Sequence, residues 1–184
     1  MHYFLRQNLF EEQGIIEIVG HTEVTAQYRW TTGIKFDTAV PRETLMLDPA
    51  YGTSLPDFFD TTVPVMSQRL IDTLREIGVD NFDVYPMLLK RIDTGEEFKG
   101  YSAVNFIGSV DAVDLNSSQY RLRFGKPYFT GPIAIDPART ESLLAFRLLN
   151  GPGFVVVSEH PANLLRSRDF RAVLLQPTLA YEGA

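Results

Sequence analysis

One stretch, VPVMSQRLIDTLREIGVDNFDVYP at residues 63–86, constrains the fold more than any other part of the chain. A short apolar run ends at Ser67, whose hydroxyl can cap a helix by accepting a hydrogen bond from an unpaired first-turn N–H. Apolar residues then recur at helical spacing, and Gly78 can take the left-handed conformation that ends a helix. The stretch therefore predicts a strand, a helix and a second strand.

A similar stretch, FVVVSEHPANLLRSRDFRAVLLQP, occupies residues 154–177. At a constant offset of 91 positions, Ser67 aligns with Ser158 and Pro86 with Pro177. Duplication and convergence of two capped helices both explain the match. Since neither unit can bury its apolar faces alone, we expect them to pack together. We therefore predict an α+β fold: a mainly antiparallel sheet with two principal helices, built from two similar strand–helix–strand units.

The remaining sequence adds strands and loops rather than another domain. Residues 1–54 are irregular and rich in β-formers, with candidate strands at His2–Leu5, Ile15–Val19 and Gly33–Phe36. A chain of 184 residues suits one domain and should bury roughly 70% of its unfolded surface. We predict a single domain over 1–184, with residues 55–184 as its core.

Composition restricts the classes of function. The chain has no cysteine, which excludes thiolate chemistry. Its net charge of −6 disfavours binding to nucleic acid and would attract a basic protein partner, although a charge of this size is also normal for solubility. It contains no apolar run of membrane-spanning length and no signal-peptide pattern near its N-terminus. We therefore expect a cytoplasmic protein that does not engage a membrane.

Sequence motifs for catalysis and cofactors are weak. The three histidines, His2, His21 and His160, have no metal-binding spacing, and no phosphate loop or nucleophile elbow is present. Helix capping explains Ser67 and Ser158. We predict no catalytic residue, no metal and no cofactor.

A polar loop, DAVDLNSS at residues 111–118, offers the strongest alternative to that prediction. Asp111, Asp114 and Asn116 supply oxygen ligands that suit calcium or magnesium, although the spacing of the known calcium loop is missing. A solvated turn explains the same residues. The alternative function is a carboxylate- or metal-dependent hydrolase with a site near Asp111 and Asp114.

A proline-bounded loop, LPDFFD at residues 55–60, places aromatic side chains beside carboxylates. Such a combination suits a contact with a basic partner. The alternative is that Phe58 or Phe59 fills the edge of the core. We predict that the partner-binding residues are Asp57, Phe59, Asp60, Asp111 and Asp114.

Several segments together resemble one known family. They are SLPDFF, the stretch at residues 63–86, NFIGSVDAVDLNSS, and LLAFRLL followed by VVVSE. Over about residues 55–177 the chain resembles immunity protein family eleven of bacterial polymorphic toxin systems, formerly a domain of unknown function. The resemblance implies a cytoplasmic protein without a catalytic set, encoded beside a toxin, that binds the toxin and blocks its action in interbacterial competition.

Overall fold

The computed structural model describes residues 1–10, 14–20 and 27–183. Within these ranges the two α-helices are α1 (Gln68–Glu76) and α2 (Glu159–Ser167). The strands, numbered along the chain, are β1 (His2–Gln7), β2 (Glu17–Val19), β3 (Thr44–Asp48), β4 (Phe58–Phe59), β5 (Val65–Ser67), β6 (Phe82–Arg91), β7 (Glu97–Phe106), β8 (Ser109–Val110), β9 (Tyr120–Arg123), β10 (Lys126–Phe129), β11 (Ala145–Leu148), β12 (Val155–Ser158) and β13 (Val173–Pro177).

The α+β class predicted from the sequence is confirmed, but the strands of the described ranges form three sheets rather than one. Sheet 1 has the order β13-β1-β12-β11-β8, and sheet 2 has the order β2-β3-β6-β7-β5-β4. Strands β9 and β10 form a separate pair. Among the described residues the strand pairings are antiparallel except for β3 with β6 and β8 with β11, and an isolated bridge between Ile15 and Ser54 is also parallel.

Helix α1 follows the predicted pattern. The Ser67 hydroxyl accepts a hydrogen bond from the N–H of Leu70, and Gly78 has φ +93° just beyond the last turn. The side chains of Leu70, Ile71 and Leu74 are fully buried. Burial of each stabilises the fold by about 1.5–3 kcal/mol, which is why the apolar face of α1 lies against the sheets.

Helix α2 corrects one prediction. Ser158 occupies the N-cap position, but its hydroxyl makes no capping hydrogen bond. The third helical residue is Pro161, which has no N–H, whereas Leu70 donates at the equivalent position of α1. Capping therefore explains Ser67 but not Ser158.

The N-terminal strand completes sheet 1. Strand β1 lies between β12 and β13 and pairs antiparallel with both, so that Phe4 faces Val156 on one side and Gln176 on the other. In sheet 2, β7 lies in the same way between β5 and β6. The predicted strand at His2–Leu5 is confirmed, whereas Gly33–Phe36 forms a turn and irregular chain.

Most of the buried apolar side chains belong to three clusters. The first joins both sheets and both helices, with members such as Leu5, Met66, Leu74 and Leu165. The second lies on the opposite face of sheet 2 around Trp30. The third lies on the opposite face of sheet 1, where Phe4 and other sheet residues contact the segment that follows β8.

Candidate functional site

Asp57 is buried and connects distant parts of the chain. Its carboxylate accepts hydrogen bonds from the Ser67 hydroxyl, from Arg69 Nη2 at 2.7 Å and from the backbone N–H of Arg171 at 2.8 Å. Only 9% of the residue is exposed. Burial raises the pKa of Asp57, but the hydrogen bonds from Arg69, Ser67 and Arg171 outweigh it and hold this pKa below its ordinary value.

The aromatic residues beside Asp57 are core residues. Phe58 and Phe59 are each 1% exposed; Phe58 belongs to the first cluster and Phe59 to the second. Since successive strand residues point to opposite faces, β4 contributes one ring to each side of sheet 2. The structure thus supports the alternative that these rings fill the core, and Phe59 has almost no surface for a partner.

Asp60 also lies mostly inside the protein. Its side chain is 16% exposed and accepts a hydrogen bond from Arg6 Nε at 2.8 Å. Its backbone N–H donates to Gln7. Burial raises the pKa of Asp60, against the opposing effect of Arg6 and Arg147. The predicted exposed surface of Asp57, Phe59 and Asp60 is therefore corrected: these side chains tie β4 to its neighbours.

Arg147 is a buried cation whose burial the sequence analysis did not predict. It is 2% exposed, and its Nη1 donates to the carbonyl of Gly153. Burial lowers the pKa of Arg147 to about 10, while the charge of Asp60 acts in the opposite direction. The apolar run LLAFRLL is typical of a strand, and without knowledge of how the strands pair, a buried arginine inside such a run cannot be told from a solvated one.

Asp111 and Asp114 are the predicted residues that do lie at the surface. The side chain of Asp111 is 71% exposed and pairs with Arg139 at 3.4 Å. The carboxylate of Asp114 accepts a hydrogen bond from the N–H of Asn116, as expected in a solvated turn. Together with Asp136 and Leu115 they line an open cleft of about 570 Å³.

The cleft lies at the base of a longer projection, here named the arm (residues 111–136). Its two sides run antiparallel: Val113 pairs with Ile135, and the N–H of Gln119 donates to the carbonyl of Pro132. Strands β9 and β10 continue the arm to its tip, which is the hairpin (residues 120–129). The arm thus carries three carboxylates at its base (Asp111, Asp114 and Asp136) and three cations at its tip (Arg121, Arg123 and Lys126).

The five predicted residues fall into two separate groups. Asp57, Phe59 and Asp60 belong to β4 and its ends, whereas Asp111 and Asp114 belong to the arm. No hydrogen bond or ion pair joins the two groups in the described structure. The geometry around Asp111 and Asp114 is that of an ion pair and a turn. In the described ranges no three histidine or acidic side chains form a group that could hold a metal ion, and His21 lies outside those ranges.

No protein-family model matches the sequence, and a search of curated proteins finds no significant match. The resemblance to immunity proteins consequently stays a prediction. In the ranges described, neither helix has the length and apolar character needed to cross a bilayer.

Proposed function

We propose that this protein is a bacterial immunity protein that binds a cognate toxin in the cytoplasm and neutralises it by covering its active site or substrate groove. The sequence resemblance over residues 55–177 motivates the proposal. The observation that carries it is the open cleft at the base of the arm, which is lined by three carboxylates, Asp111, Asp114 and Asp136, and by one cation, Arg139, which pairs with two of them. Such a surface suits a basic protein partner.

The proposal divides the predicted contact residues by role. Asp111 and Asp114 are assigned to direct contact with the toxin, because their carboxylates lie at the surface. Asp57, Phe59 and Asp60 are assigned to the scaffold, because they are mostly buried and contact other parts of the chain. Their substitution would then weaken binding only through loss of stability.

We also propose that the two strand–helix–strand units are structurally similar copies that carry the arm between them. Helices α1 and α2 begin and end 91 positions apart, and so do the starts of β6 and β13. In each unit the two strands are separated by one strand that pairs antiparallel with both: β7 lies between β5 and β6, and β1 lies between β12 and β13. Superposition of the two units in an experimental structure tests this proposal: helices on opposite sheet faces would contradict it.

The functional proposal is tested by co-expression with the product of the neighbouring gene. We expect growth to be restored and the two proteins to purify together. The double variant Asp111→Lys with Asp114→Asn should weaken both effects; asparagine at 114 keeps an oxygen acceptor for the turn. The matched control, Asp80→Lys with Glu96→Gln, makes the same change in net charge at two other exposed acids.

The outcomes distinguish the immunity function itself from the role of the acidic cleft in that function. Continued toxicity without co-purification of the wild-type protein would refute the immunity function. Equal protection by the wild type, the double variant and the control would leave the function standing and remove the acidic cleft from it.

A further inference from the structure

The hairpin at the tip of the arm has two unlike faces. Antiparallel pairing places Leu122 opposite Pro127, and Arg123 opposite Lys126. Because directly paired residues share a face, one face is apolar and the other carries the cations. The apolar face consists of Tyr120, Leu122, Pro127 and Phe129, and the cationic face consists of Arg121, Arg123, Lys126 and Tyr128.

The apolar face of the hairpin is buried at its base and exposed to solvent at its tip. Phe129 is 5% exposed and belongs to the third core cluster. Leu122 is 71% exposed, and Phe124 is 100% exposed. No other strand pairs with β9 or β10 in the part of the chain that the structure describes. The hairpin therefore projects a leucine and a phenylalanine into solvent from a fixed base.

The turn itself disfavours the residue at its tip. Phe124 has φ +52° and Gly125 has φ +74°, the pattern of a type I′ turn. Asparagine, aspartate and glycine suit the first position of such a turn, whereas a bulky side chain there is an outlier. Since Phe124 contributes no burial, folding does not account for its presence. An outlier of this kind points to a function for the side chain.

The charge of the hairpin differs from that of the rest of the protein. Residues 115–135 contain three cations and no acid, in a chain whose net charge is −6. None of Arg121, Arg123 and Lys126 forms an ion pair with another described residue, and Arg123 lies 5.2 Å from the ring of Tyr128. Positive charge on an exposed edge also blocks association with other sheets, but it does not explain exposed Leu122 and Phe124.

We propose that the hairpin inserts into a cleft of the toxin, with Phe124 and Leu122 in an apolar socket and the three cations against carboxylates at its rim. This inference rests on the proposed immunity function and names the chemistry of the partner surface. A protein partner is favoured over nucleic acid because the carboxylates at the base of the same arm would repel phosphate. It is favoured over a membrane because the hairpin tip offers few apolar side chains for insertion.

The test measures the affinity of the purified full chain for the purified product of the neighbouring gene. Phe124→Asn should weaken binding by at least about 30-fold, as for the loss of a central aromatic anchor. Neutralising Arg121, Arg123 and Lys126 to glutamine should slow association by about tenfold at low salt. The matched control replaces Arg29, Arg42 and Lys99, which are exposed and make no ion pair with described residues, by glutamine; its affinity should match the wild type.

Each other outcome overturns the inference. Wild-type binding that Phe124→Asn leaves unchanged removes the hairpin from the interface and leaves the immunity function intact. Failure of the wild type to bind refutes both. Hairpin-dependent binding to a single-stranded RNA oligonucleotide or to phosphatidylglycerol vesicles would assign the hairpin to another kind of partner. A dimer in light scattering that Phe124→Asn dissolves would assign it to a second copy of the chain.

Discussion

Asp57 and Arg171, which lie 114 positions apart, exchange two hydrogen bonds. The backbone N–H of Asp57 donates to the carbonyl of Arg171 at 2.9 Å, and the N–H of Arg171 donates to the Asp57 carboxylate at 2.8 Å. The same carboxylate accepts from Ser67 at the start of α1. One buried side chain therefore joins the first strand–helix–strand unit to the second.

Removal of the Asp57 carboxylate should destabilise the protein. We expect Asp57→Ala to lower the free energy of unfolding by about 2–4 kcal/mol, because it leaves buried donors without their charged acceptor. Urea denaturation provides the measurement. Asp72→Ala, at an exposed acid of α1, is the control and should change the free energy by less than about 0.5 kcal/mol. Equal midpoints for the wild type and Asp57→Ala would contradict this role.

The contribution of Asp57 should depend on pH with a definite sign. The pKa of Asp57 is below its ordinary value of 3.8, so the ionised form is favoured in the folded state. Its stabilising effect is then complete above the unfolded pKa and is lost as the pH falls through the folded pKa. The difference in unfolding free energy between the wild type and Asp57→Asn should be larger at neutral pH than at about pH 3. A difference that grows on acidification would refute the assignment.

The two helix caps should respond differently to the same substitution. Ser67→Ala removes the bond to the N–H of Leu70 and the bond to Asp57, and should cost about 1–2 kcal/mol. Ser158→Ala removes no capping bond, because Pro161 offers no N–H, and should cost a few tenths of that amount. Denaturant midpoints of the two variants, measured side by side, check the contrast; similar losses would contradict it.

Arg147 and Asp60 should also differ when each is replaced. Asp60→Ala removes the acceptor of Arg6 Nε as well as the charge that opposes the burial of Arg147, and should cost about 3 kcal/mol. Arg147→Met substitutes an apolar side chain of similar length, and we expect no loss of stability because the cost of burying a charge disappears. Thermal and urea unfolding of both variants test the pair. A loss for Arg147→Met as large as that for Asp60→Ala would show that the cation stabilises the core.

Substitution of Phe124 should stabilise the fold even though it weakens the proposed binding. Phe124→Asn relieves a left-handed conformation and should add about 1 kcal/mol, which raises the Tm by about 2–4 °C in a protein of this size. Phe124→Ala is the control: alanine removes the ring but tolerates positive φ poorly, so it should gain less than asparagine. A lower Tm for Phe124→Asn than for the wild type would mean that the ring supports the fold.

Local patterns in the sequence identified α1 well. The spacing of Leu70, Ile71 and Leu74, the cap at Ser67 and the stop at Gly78 act within one helix, so they can be read without knowledge of the rest of the fold. The prediction of a cap at Ser158 was wrong, although the sequence holds the reason: Pro161 stands where the donor would be. Such features depend on neighbours in the chain alone.

Features that depend on contacts between residues far apart in the chain could not be predicted from local patterns. Strand β1 enters sheet 1 through partners at least 150 positions away, and nothing local selects them. Asp57 resembled a loop residue because its partner Arg171 belongs to the other end of the chain. The sequence does not predict the exposure of Phe124 either, because an aromatic residue beside glycine suits a core strand as well as an exposed hairpin tip.

Hydrogen exchange of the full chain, alone and mixed with the product of the neighbouring gene, tests the central claim most directly. The account predicts a stable complex in which backbone amides of residues 111–136 exchange more slowly than in the free protein. Absence of a complex, or a complex in which exchange over residues 111–136 is unchanged, would contradict it.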